Sequence, residues 1–392
     1  MFNVIGGVPF FCELITTHLV VFILILNQLA LGKSIMRTFS GFRWSSVVAV
    51  LLALVTTGCG GSPSSVERSV TGGSGEQSPK TGNIELLNVS YDPTRELWKA
   101  INAKFIGEYS KVTEAKVSIK QSHGGSGSQA RAVIDGLEAD VVTLALWSDT
   151  DAIRKKSLIK DGWEARLPNR SLPYFSTIVF VVRKGNPKGI KEWPDLVKQG
   201  VEVITPNPKT SGNGKLSFLG AWGTVILTGG SENDATQFVT KLYRNVPVLD
   251  TGARGSTTTF AQKQIGDVHL TWENEAHLEV SEAKGELEVV YPSQSILAEP
   301  HVAVVDANVD RKGTRAAAEA YLKFLYTDEG QEIIAQHFYR PSNEKVLAVH
   351  ASKFPKLELF PVTKIAENWD AVQAKFFAEG ALFDSIYAQA SK

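Results

Sequence analysis

From residue 83 onward, short apolar runs alternate with amphipathic helix patterns, and this alternation constrains the fold more than any other feature of the chain. Val141 to Leu146 and Thr177 to Val182 are apolar almost throughout, and Val201 to Thr205 reads similarly but for Glu202 and Thr205. A strand reads that way when both of its faces are covered, as in a parallel sheet with helices on each side. Ile84 to Val89 reads as a buried strand, Val117 to Lys120 as a short one, and Val268 to Trp272 as another. Between these runs lie helix signals. Asp92-Pro93 opens a helix that runs to about Tyr109, with Asp as the N-cap and Pro at the first helical position. Ala130, Val133, Ile134 and Leu137 recur at helical spacing within Gln129 to Leu137. Helices are also expected over Lys215 to Leu227, from Glu273, and over Thr314 to Tyr326, Asp328 to His337 and Ala366 to Ala378. In the last of these Trp369, Val372, Phe376 and Phe377 share a face, which marks core and not a cofactor box. Strand and helix at βαβ spacing predict an α/β fold in two lobes. Each lobe is expected to be a mostly parallel sheet flanked by helices, with a cleft between the two.

The 392 residues suffice for two or three packed units. Lys plus Arg number 41 and Asp plus Glu 41, so the chain lacks the basic excess of a nucleic-acid binder. The two cysteines, Cys12 and Cys59, lie near the N-terminus. No disulfide can form beyond residue 59, and a hydrophobic core must hold the fold. Arg37 and Arg43 precede an apolar run, Val47 to Val55, that ends in Thr57-Gly58-Cys59. Basic, then apolar, then small is the layout of a secretory signal, here 36–58, beginning at Met36. Residues 1–35 then read as an upstream extension that is not part of the translated protein. The alternative is a span within Leu14 to Leu31, weakened by His18, Asn27 and Gln28. Residues 60–82 are rich in Gly and Ser and read as a flexible tether. The expected lobes are 83–173 together with 273–392, and 174–272.

Five loops carry the chemistry. Asn207-Pro208-Lys209-Thr210-Ser211-Gly212 lies between a strand-like and a helix-like run. Pro208 fixes one φ, Gly212 permits a turn that other residues resist, and Ser211 adds a hydroxyl. Such a loop before a helix is a ready anion site, because the first helical N–H groups lack partners and the dipole favours negative charge. Asn88 to Arg95, Gln121 to Gly127, Asp250 to Thr257 and Thr271 to Glu275 have the same character. In open α/β sheets ligands bind beyond the carboxyl ends of strands, where these loops fall. Singly, a Gly/Ser loop is an ordinary connection, His123 a structural histidine and Trp272 a core residue. Five together on one chain point to a ligand.

These loops closely resemble those of the periplasmic sulfate-binding proteins. That family's signature reads N-P-K-S/T-S-G-G-A-R; the match runs through Gly212 and departs at Asn213, Gly214 and Lys215. Asn88-Val89-Ser90-Tyr91-Asp92-Pro93-Thr94-Arg95, Gln121 to Gly127, Gly252-Ala253-Arg254-Gly255-Ser256-Thr257, Trp272-Glu273-Asn274-Glu275-Ala276 and Ser295 to Pro300 also look like that family. The resemblance implies a two-lobed periplasmic-binding-protein fold, type II, holding sulfate between the lobes by neutral donors. Position by position it implies backbone N–H groups of Asp92, Ser126, Gly212, Asn213 and Ala253, the hydroxyls of Ser126 and Ser211, and the indole N–H of Trp272. Asn tolerates left-handed φ better than most residues, so the donor at Asn213 can survive its replacement of a family glycine. Cys59 directly after small residues resembles a lipoprotein processing site, with Thr56 where such sites usually have Leu. The implied protein is a monomeric, lipid-anchored carrier outside the cytoplasm. It delivers sulfate to the permease of an ATP-driven importer and uses no cofactor.

Other classes fit less well. A P-loop would need Gly at Lys209 and Ser or Thr at Leu216. A G-x-S-x-G elbow fails at Ser128. Neither a H-E-x-x-H motif nor a Cys/His cluster is present for a metal. A carrier of thiosulfate, or of another tetrahedral oxyanion such as molybdate or phosphate, is the alternative; a secreted hydrolase is the more distant one.

Overall fold

A computed structural model describes residues 82–390. Met36, Cys59 and the tether expected over 60–82 lie outside the described residues, but for Gly82. Two sheets organise the chain. The first has the order β2 (Lys116–Gly124), β1 (Asn83–Tyr91), β3 (Val141–Leu144), β9 (His301–Val304). β1 runs parallel to β2 and β3, while β9 is antiparallel to β3. The second has the path β11 (Glu358–Phe360), β8 (Gln294–Ala298), β4 (Tyr174–Arg183), β6 (Val268–Trp272), β5 (Val203–Ile204). β7 (Leu287–Val290) and β10 (Arg340–Pro341) also pair with β4. β4 is antiparallel to β6, β7, β8 and β10, so this sheet is mixed and not mostly parallel as expected. An apolar run shows that a strand is buried but carries no record of its direction.

The helices of use here are α1 (Arg95–Thr113), α2 (Ser126–Ile134), α3 (Trp147–Arg154), α4 (Gly212–Leu227), α5 (Glu232–Arg244), α6 (Ala253–Thr257), α7 (Glu273–Glu282), α8 (Arg315–Phe324), α9 (Asp328–Gln336) and α10 (Leu382–Ala390). α8 packs Tyr321 and Leu322 into a core with Trp98, Ile101 and Phe105 of α1 and Leu86 and Val141 of the first sheet. The second sheet buries Phe180 and Leu270 with Phe218 and Trp222 of α4 and Leu242 of α5. Among the described residues no helix is long and apolar enough to cross a membrane.

Strand pairing divides the chain differently from the expected boundaries. Residues 273–298 follow β6 into the second sheet, because β7 and β8 both pair with β4. The C-terminal segment returns there too: β11 pairs with β8, and Phe376, Phe377 and Phe383 pack around Phe218 at ring-centroid distances of 5.5, 5.4 and 6.0 Å. The stretch from β9 through α9, together with Tyr339, rejoins the first sheet and its core. The aromatic stripe of 366–378 is core, as its spacing suggests, although it forms a short α-turn, Trp369–Val372, followed by a π-turn, Gln373–Phe377.

Candidate functional site

All five loops lead into a helix, and the fold gathers four of those starts. Asp92 is the first residue of a 3-10 turn, Asp92–Thr94, that leads into α1. Ser126 opens α2 behind Gly125, and Ala253 opens α6 behind Gly252. Gly212 and Asn213 open α4 behind Ser211. First-turn N–H groups have no acceptor inside their own helix, so each start presents donors and the positive end of a dipole.

Close approaches join these starts across the two sheets. A Cβ at Gly125 would collide with the carbonyl oxygens of Thr210 and Thr251, so only glycine fits there. At Gly212 a Cβ would stand 2.5 Å from the Ala145 Cβ and 3.4 Å from that of Ser126. Gly252 lies against the Asp92 carboxylate. Thr210 Oγ1 donates to the Thr251 carbonyl at 2.8 Å, and the Lys209 ammonium donates to Phe377 O, Ala378 O and Asp384 Oδ2 at 3.2, 2.9 and 2.8 Å. The loop after β5 is thereby held to its neighbour and to the C-terminal segment.

Trp272 closes the set. It ends β6, is fully buried, and its ring lies 5.1 Å from that of Tyr91, the residue before Asp92. Its indole N–H has no protein acceptor. Buried donors are almost always bonded, so this orphan beside the gathered helix starts is a donor free to take an acceptor. Two residues on, Asn274 Nδ2 donates to Pro93 O at 3.0 Å, and Tyr339 Oη donates to the same carbonyl at 2.7 Å.

Two expectations need correction. Asp92 is not the N-cap: it is the first helical residue, its side chain caps nothing, and Oδ1 accepts from Arg95 Nη2 at 2.9 Å. The Ser126 hydroxyl is also committed elsewhere, donating to Asp149 Oδ2 at 2.6 Å and accepting from Ala145 N at 3.0 Å. Only the backbone N–H of Ser126 remains to offer. Ser211 Oγ accepts from Gly214 N at 3.4 Å, which leaves its own hydrogen to donate.

Sequence reasoning missed the charged groups that join the two sides. Lys215, noted only as a departure from the family signature, is buried and pairs with buried Asp149 at 3.2 Å. Asp149 thus binds a lysine through one oxygen and the Ser126 hydroxyl through the other. Arg254, next to Ala253, bonds Glu96 of α1 and Glu275 of α7, each at 3.1 Å. Burial pushes the Glu275 carboxyl up to about 8 against the attraction of Arg254. Burial, helped by the charge of Arg95, lowers His123 to about 4, so this imidazole is neutral near pH 7. Among the described residues no group of three or more His, Cys, Asp or Glu could hold a metal. The gathered donors are uncharged and suit a fully deprotonated oxyanion, which only accepts hydrogen bonds.

Comparisons with known proteins agree with this chemistry. The model of the bacterial extracellular solute-binding proteins matches residues 87–340. The thiosulfate-binding protein of Pseudomonas aeruginosa is 53% identical over 305 residues, covering 77% of this chain and 92% of the relative. The sulfate-binding protein of Escherichia coli is 53% identical over 306 residues, covering 78% and 93%. Among solved structures, the sulfate-binding protein SubI from Mycobacterium tuberculosis H37Rv matches with a TM-score of 0.69 and 31% identity, covering 75% of this chain and 99% of that one.

Proposed function

Because the chain belongs to the sulfate- and thiosulfate-binding branch of the bacterial extracellular solute-binding proteins, we propose that it captures sulfate outside the cytoplasm and delivers it to the permease of an ATP-driven importer. The observation that carries this reading is the buried, unpartnered indole N–H of Trp272 beside four gathered helix starts. In this reading the anion takes backbone N–H groups of Asp92, Ser126, Gly212, Asn213 and Ala253, the Ser211 hydroxyl and the Trp272 indole. The role is binding, not catalysis. Thiosulfate is the second reading, favoured by the 53% identity to a thiosulfate-binding protein.

Equilibrium dialysis with radiolabelled sulfate, competed by thiosulfate, selenate and phosphate, tests both. Hydrogen phosphate carries a proton that an all-donor site cannot accept. An unmade buried contact costs about 1–3 kcal/mol, or about tenfold to a hundredfold in affinity. Phosphate competing as well as sulfate would overturn the all-donor site. Trp272→Phe keeps an aromatic ring but removes the indole donor, and should weaken sulfate binding by about tenfold or more.

The motif around Cys59 supports a lipid anchor behind a signal at 36–58, with 60–82 as its tether. Cys59→Ala should then move the protein from membranes into the soluble fraction; unchanged partitioning would sink the anchor. A monomer is expected, and sedimentation of the soluble part at rising concentration checks it.

A further inference from the structure

Asn213 stands where the family signature has glycine, and its side chain is put to use. It is the second residue of α4 and is 1% exposed. Its Nδ2 donates to Leu270 O at 2.9 Å and lies 3.4 Å from Ser217 Oγ. Because a carbonyl only accepts, the bond to Leu270 fixes which end of the amide is nitrogen. Oδ1 is buried with no protein partner, so the donor end alone anchors the side chain. Leu270 lies on β6, two residues before Trp272. β5 pairs with β6 only as far as Ile204 opposite His269. One residue further along β6, the Leu270 carbonyl takes its donor from a helix start.

We propose that Asn213 is a positioning residue of the anion site, a role that rests on the sulfate-binding reading above. Its side-chain amide ties the first turn of α4 to the strand that ends in Trp272. The N–H groups of Gly212 and Asn213 and the indole N–H of Trp272 are then one rigid donor set, although they come from separate elements. A glycine here would supply the same backbone N–H and no such tie. Rigidity matters because tetrahedral oxyanions share a shape and differ in size. Selenate has longer bonds than sulfate, so a donor set fixed for sulfate fits selenate less well. A loosened set adapts to either.

The test is calorimetric titration of sulfate and selenate into the whole soluble protein and into Asn213→Ala and Asn213→Gly, with the melting temperature of each. Losing one buried neutral hydrogen bond should weaken sulfate binding by about tenfold. Selenate should lose less, so that the selenate-to-sulfate ratio of Kd falls in both variants. A purely structural role would lower the melting temperature and leave that ratio unchanged, and such a result overturns the proposal. If Asn213→Ala fails to fold, Asn213→Gly carries the test alone, because it adds no atom to the site. If the wild-type protein binds sulfate and both variants match it for both anions, the positioning role is wrong and the function stands. If the wild-type protein binds neither anion, the function falls and the positioning role falls with it.

Discussion

Among the ionic ties that join the groups around the first sheet to those around the second, two are built to different standards. Lys215–Asp149 links α4 to α3 with side chains only 8% and 6% exposed, and Asp149 also takes the Ser126 hydroxyl. Arg254–Glu96 links α6 to α1 with side chains 29% and 43% exposed, and Arg254 also donates a hydrogen bond to Glu275. Water can replace either partner in the second tie and neither in the first. Contact distance is therefore a poor guide to strength: 3.2 and 3.1 Å describe contacts of different consequence. What separates them is the cost of leaving one charge alone.

The largest effect is expected from Asp149→Ala, which strands a buried ammonium and frees the Ser126 hydroxyl. Breaking a buried pair from one side costs about 3–5 kcal/mol, to be read from denaturant midpoints. The double variant Asp149→Leu, Lys215→Met should recover most of that loss. If the single variant is as stable as the wild type, the contrast between the ties collapses.

A pH series separates them further. Glu275, pushed up to about 8, keeps in the folded chain a proton that an exposed glutamate releases near about 4.3. Between those values the folded state binds more protons than the unfolded one, so this group adds stability as pH falls from about 8. The slope is at most about 1.4 kcal/mol per pH unit. His301, lowered to about 4 by burial, acts oppositely below about 6.5, because there the unfolded state takes up the proton. Thermal melts between about pH 6.5 and 8 isolate the glutamate, and Glu275→Gln should flatten the dependence. A slope that persists in the variant would assign it elsewhere.

The smallest effect is expected from Glu96→Gln. Exposed pairs contribute about 0–1 kcal/mol and fade with salt. Melts at low and high salt check this. A loss as large as that of Asp149→Ala would show that exposure misjudges the second tie.

The same contrast separates what the sequence reveals from what it hides. β6 is legible at both ends, because Val268 to Trp272 is short, largely apolar and followed by a helix signal. The start of α4 was not. Gly212, Asn213 and Gly214 are poor helix formers, so the sequence pattern begins at Lys215, whereas the helix begins at Gly212. Burial and the Ser211 cap outweigh propensity there, and the three residues gained include two proposed donors. β2 runs on to Gly124, through residues that read as a glycine-rich loop, because it pairs in register with β1 as far as Tyr91. Donor loops are legible because each is a local pattern. Asp149 and Lys215 stand 66 residues apart, and nothing local in either marks the other.

The return of Glu358–Phe360 and of Phe376, Phe377 and Phe383 to the second sheet also sets an order of assembly. Synthesis delivers the chain from its N-terminus, and the elements around the first sheet through α9 are all available before β11 and α10. Phe218 and Trp222, some 150 residues earlier, wait for Phe376, Phe377 and Phe383 before their core is closed. Until then a broad aromatic surface is uncovered, and the contacts that cover it span long loops, which form slowly. A nascent chain cut short before residue 358 therefore carries every proposed anion donor and still presents a sticky, unfinished half. Closing this core is therefore a late step, which waits on the segment that carries Phe376, Phe377 and Phe383.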